Sequence, residues 1–124
     1  PPEDAPDAHL REVLDHVLAS SLSAERREFA AAMVDLRAQA ASDERFRAAF
    51  SRHDRFFRER FAAILRAGID AGVYREVDPE ATAATLVTLV NGAMTERVTT
   101  DDAPVEAIRA EVERFLEATL RRES

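Results

Sequence analysis

The stretch "LRAGIDAGVYREVDPEATAATLVTLVNGAMTERV", Leu65 to Val98, holds all three glycines of a 124-residue chain, and between Glu80 and Glu96 it carries no charge although 33% of the chain is charged. Its first half spells the end of one helix and the start of the next. Gly72 follows the last apolar residue at helical spacing and can take the left-handed conformation that closes a helix, with Val73 or Tyr74 supplying the accompanying apolar contact. Asp78 can accept from the free amides of a following helix, Pro79 loses nothing at a first helical position, and Glu80 complements the positive helix end. The second half predicts a helix from about Pro79 to Val98.

That fourth helix has two faces, neither of them charged. One arc holds Leu86, Val87, Leu89, Val90, Met94 and Val98, and the other holds Ala81, Ala84, Thr85, Thr88, Asn91, Gly92 and Thr95. A helix facing water in so charged a chain should show Glu and Arg on its outer side. Two readings follow: a central helix wrapped by its own domain, or a helix with its bulky arc in the core and its small arc against a second copy. Small side chains let helix backbones approach closely. A glycine in a helix interior costs about 1 kcal/mol against alanine, so a close approach would give Gly92 a use.

Outward from this stretch the apolar spacing is helical throughout, which predicts an all-α, antiparallel bundle of about five helices. A first helix follows Asp7, a candidate N-cap, with Leu10, Val13, Leu14, Val17 and Leu18 on one side. Ser23 can cap a second, with Phe29, Met33, Leu36 and Ala40 as its stripe, and Ser42 or Asp43 can cap a third. The third carries Phe46, Ala49, Phe50, His53, Phe56, Phe57, Phe61, Ile64, Leu65 and Ile69 to about Ala71, a spine of about 43 Å. The fifth starts after "TTDDAP" and reaches about Arg121. Val105, Ile108, Val112, Phe115, Leu116, Thr119 and Leu120 make its core side, while Ala107, Ala110 and Ala118, broken by Arg114, form a small-residue side. With the fourth helix this side could build a four-helix interface about a two-fold axis.

The chain is the length of one domain, 1–124, with residues 1–6 expected as a flexible lead-in. Its formal charge of -7 works against direct binding to a phosphate backbone. Every one of its 17 basic residues is Arg, a mark of compositional bias or salt adaptation. It has no cysteine, no apolar run of the roughly 20 residues that would span a membrane, and no basic and apolar leader, so a cytoplasmic protein is expected. Catalysis finds little support. No Glu-x-x-His occurs, no nucleophile setting surrounds Ser20, Ser21 or Ser23, and no glycine-rich loop follows a strand. Glu12 and His16 are one turn apart with His9 nearby, but three histidines that do not otherwise converge leave no metal or cofactor expected.

From about Phe29 to Leu120 the sequence resembles the C-terminal domain of TetR-type transcriptional repressors, in the branch containing the betaine-pathway regulator. The resemblance rests on "EFAAAM", on a phrase of the form GxxxGxxRxVDPExxA followed by a later glycine, and on a final amphipathic helix ending "FLEATL". The phrase appears as Gly68, Gly72, Arg75, Val77, Asp78, Pro79, Glu80, Ala83 and Gly92. Asn91 stands where many relatives have Asp, and the N-terminal helix-turn-helix is absent from these residues. The resemblance implies a small-molecule effector domain that dimerises through its last two helices and reaches DNA only through an N-terminal domain outside this sequence.

For the implied pocket the residues offer Phe29, Met33 and Leu36, then Phe50, His53, Phe56, Phe57 and Arg60, then Asn91 and Met94. Phe and Met linings suit an apolar or aromatic ligand, and Arg60 could receive an anionic group. The same residues at helical spacing also suit an ordinary core, with His53 satisfied by a neighbour. For the dimer they offer Ala81, Thr85, Thr88, Gly92 and Thr95, with Ala107, Ala110, Arg114 and Ala118. A helical dimerisation module without a pocket is the alternative.

Overall fold

In a computed structural model that describes residues 5–121, three helix starts are held by the side chains expected to cap them. Ser23 accepts from the Arg26 amide at 3.2 Å, Asp43 from Arg45 at 2.9 Å, and Asp78 from Glu80 and Ala81 at 3.0 and 3.1 Å. Each bond satisfies a donor that a helix start leaves free. The elements are α1 (Ala5–Val17), α2 (Ala24–Gln39), α3 (Glu44–Asp70), α4 (Pro79–Thr99) and α5 (Val105–Phe115). After α5 the chain widens into one π-helical turn, Leu116–Leu120, closed by the Arg121 amide on the Leu116 carbonyl. The fold is all-α. One isolated bridge, Tyr74 with Arg121, is the sole β pairing among the described residues.

Gly72 closes α3 at φ 76°, the left-handed conformation its position predicts, and the Val73 and Tyr74 amides both bond to the Gly68 carbonyl. This turn folds the Tyr74 ring back onto α3. A Cβ built on Gly68 would stand 2.2 Å from the ring, so glycine is what lets the ring lie there. Gly68→Ala should therefore lose stability overall, since overpacking costs about 1–3 kcal/mol and helix propensity returns only about 1. A urea midpoint equal to or above wild type would contradict that packing.

The core is built from Leu10, Leu14 and Leu18 before α2, Phe61 and Leu65 on α3, Leu86 and Val87 on α4, and Val112, Leu116 and Leu120 at the C-terminal end. α3 packs chiefly on α4 and α1, and α2 lies against both α3 and α4. Asp7 is not an N-cap. It sits inside the first turns of α1, buried, where it accepts from the Tyr74 hydroxyl at 2.9 Å, Arg11 Nε at 3.1 Å and Arg121 Nη1 at 2.5 Å. Burial first, then the bond to Asp7, pushes the Tyr74 phenol far above its usual pKa, so it stays a donor. The start of α1, the α3 to α4 link and the end of the chain are thereby tied together.

Three expectations are corrected. Ala5 and Pro6 belong to α1 rather than to a lead-in, whose first four residues lie outside the described ones. The spine helix outruns the core: its second half buries Phe61, Ala62, Ile64, Leu65 and Gly68, but from Ser51 to Arg60 every residue is exposed or, for Asp54, half-buried. α2 covers only part of its stripe, Met33 and Ala40. Arg26, Ala30, Met33 and Arg37 face the bundle, while Phe29 stays 69% exposed and Leu36 is also exposed. Both departures have one cause: α2 and the front of α3 have neighbours on one flank only, so a bulky stripe wider than that flank is left partly uncovered.

Candidate functional site

α4 presents two unlike sides. Ala83, Leu86, Val87 and Ala93 are buried, whereas Ala81, Thr85, Thr88, Gly92 and Thr95 are exposed. Leu89 leaves the bulky arc assigned to it and joins the exposed side, 41% accessible. The threonines on this side are less polar than their names suggest. Thr85 donates to the Ala81 carbonyl and Thr88 to the Ala84 carbonyl, both at 2.9 Å, so their hydroxyls are spent within the helix and methyl groups remain to face outward. Nothing lies within 4 Å of a Cβ built on Gly92. No packing inside this chain requires a glycine there. On α5, Ala107, Ala110, Arg114 and Ala118 are exposed as well, with Arg114 ion-paired to Glu111.

Part of this face is also one wall of an open groove of about 500 Å³ between α2, α3 and α4. Arg37 and Asp54 pair across it at 3.2 and 2.5 Å, Arg58 and Glu96 add charge, and Asn91, Thr88, Gly92 and Thr95 form the α4 wall. Arg37, and after it His53 and Asn91, holds the Asp54 carboxyl below the ordinary range against the opposing effect of burial. A depressed folded pKa contributes stability above the unfolded value of about 3.9 and loses it as pH falls through the folded one. Asp54→Asn should accordingly flatten the loss of stability between neutral pH and about pH 3, measured as urea midpoints along a pH series. An unchanged pH dependence would contradict the pairing.

Of the residues expected to line a pocket, Asn91 reaches the groove. Phe50, His53 and Phe57 are brought together in a ladder along α3, with ring centroids 6.2 and 4.9 Å apart, and Phe56 meets Phe57 edge-on at 5.4 Å. His53 is exposed between its two rings, not enclosed in a core. Arg60 lies over Phe56 at 5.7 Å, and Arg37 over Phe50 at 5.2 Å. Met33 and Met94 are half-buried, and Phe29 and Leu36 point to solvent. Sequence reading missed Arg37 and Asp54, although Asp54 is four residues after Phe50 and three before Phe57 on α3; Arg37 meets it from α2. Among the described residues no group of His, Asp and Glu is arranged to hold a metal ion, and no helix is long and apolar enough to cross a membrane.

A family model described as the BetI-type transcriptional repressor, C-terminal, matches residues 6–121. The chain belongs to this C-terminal family of TetR-type regulators. Among solved structures, it is similar to a TetR transcription regulator from Haloarcula marismortui ATCC 43049, with a TM-score of 0.83 and 31% identity over 94% of this chain. The match covers 64% of that regulator's chain, so these 124 residues span under two-thirds of its length. No curated protein matches. The matched residues include the glycine stop, the Asp-Pro-Glu start and the final amphipathic helix, and the family is one of transcriptional regulators, not of enzymes.

Proposed function

We propose that this TetR-type domain is the cytoplasmic effector-sensing and dimerisation part of a repressor, pairing with a second copy through α4 and α5. The observation that carries the pairing is the exposed α4 side. The hydroxyls of Thr85 and Thr88 are satisfied internally, the side bears no charge between Glu80 and Glu96, and Gly92 opens it to the approach of a second backbone. Thr85 and Thr88 can therefore be buried without leaving their hydroxyls unpaired. An isologous pairing would set the same small residues of both copies against each other.

The groove that this face partly walls, with the Phe50–His53–Phe57 ladder near it, supports a small apolar or aromatic effector whose polar end meets Asn91 or the Arg37–Asp54 pair. An effector that prefers one arrangement of α2, α3 and α4 would shift the spacing of two copies and of whatever DNA reader precedes them. Binding of DNA would then belong to an N-terminal domain and not to these residues. A gel shift with the chain alone tests this part: no retention of DNA is expected, and tight, salt-sensitive, sequence-selective retention would overturn it. A screen of aromatic compounds by thermal shift, repeated on Phe57→Ala, tests the sensor: stabilisation in wild type that the variant loses is expected. A compound that stabilises both equally would favour a dimerisation module without this site.

A further inference from the structure

A buried charge without a counter-charge lies at the far end of α4. Arg97 falls on the core-facing row Leu86, Val90, Ala93, Arg97, in the helix's last turn, and is only 8% exposed. Its Nη1 is buried and has no hydrogen-bond partner. Its carbonyl accepts from Arg27 Nη1 at 3.2 Å, which draws a second guanidinium of α2 to the same place, and Arg26 of that turn donates to the His16 carbonyl. In a chain with 24 acidic residues, none of these three arginines forms an ion pair with a described carboxylate. Burial first, then the neighbouring charges of Arg26 and Arg27, lowers the Arg97 pKa from its ordinary value. An arginine nevertheless remains charged in proteins. A buried, unpaired charge of this kind is strongly unfavourable unless an anion completes it.

We infer that the Arg26, Arg27 and Arg97 cluster, at the junction of the α2 start and the α4 end, binds a small oxyanion such as a phosphate, sulfate or carboxylate group. Guanidinium forks match two oxygens of such a group at once. Arg97 does not line the groove, so this site is separate from the one assigned to the effector.

The test is isothermal titration of the full chain with inorganic phosphate, and in a second arm with acetate, at constant ionic strength set by chloride. Saturable binding of one anion per chain is expected, with phosphate and acetate telling a tetrahedral oxyanion from a carboxylate. Arg97→Met should weaken it by at least about tenfold, and Arg27→Gln, at an exposed position, should weaken it by a smaller factor. Without anion, Arg97→Met should be at least as stable as wild type, because it removes a buried charge and keeps the volume. Three results would overturn the site: no saturable binding by wild type, equal binding by both variants, or a clear drop in the melting point of Arg97→Met in chloride alone.

Discussion

Gly92→Arg is expected to turn a paired protein into a folded monomer. In the single chain a Cβ at this position meets no atom, and Gly92 has no positive φ that would strain another residue. Arginine is also the better helix former by about 0.8–1 kcal/mol, so the isolated subunit should gain stability. In an isologous pair each new side chain would meet its own copy or its near neighbours near the two-fold axis. Steric exclusion and like charge together should weaken association by at least about a hundredfold. The two effects carry opposite signs, which keeps the result readable: sedimentation velocity should show the smaller species while circular dichroism keeps its helical signal. A variant that sediments as wild type does would remove Gly92 from any interface.

The second large effect is expected at Tyr74. Its ring is almost wholly buried against Gly68 and its hydroxyl is tied to Asp7, so it joins the α3 to α4 link to the start of α1. Tyr74→Ala should cost about 3–5 kcal/mol, the range for deleting a buried aromatic. Tyr74→Phe, which keeps the ring and strands one acceptor site on Asp7, should cost about 1–2 kcal/mol. Urea denaturation at one fixed protein concentration measures both, since association would otherwise shift the midpoints. Coupling gives a sharper check. The loss caused by Gly68→Ala should largely vanish in the Tyr74→Ala background, because the methyl then enters the space the ring has left. Additive losses would mean that ring and glycine do not share that space.

Local chemistry made much of this fold legible. Ser23, Asp43, Asp78 and Gly72 do what their positions forecast because a cap depends on a few neighbouring atoms and hardly on the rest of the molecule. Asp7 was misread for the opposite reason. It looks like a cap locally, but Tyr74 and Arg121, 67 and 114 residues away, decide its place. The aromatic stripe of α3 shows a related limit: periodicity reveals which side of a helix is apolar, not how far along it a neighbour extends, so Phe50, His53, Phe56 and Phe57 read like core although little covers them. Arg97 could have been noticed from its place on the Leu86–Val90–Ala93 row, where a charge breaks the pattern. The threonine hydroxyls of α4 could not, since whether they turn inward or outward is a matter of rotamer.

The pairing of α4 with a second copy is tested most directly by Thr88→Cys in this cysteine-free chain, oxidised at micromolar concentration beside a Ser51→Cys control on the exposed front of α3. A face-to-face α4 contact predicts rapid, nearly complete conversion of the Thr88 variant to a species of twice 13.8 kDa, with the control lagging far behind. Equal and slow cross-linking of the two would contradict it.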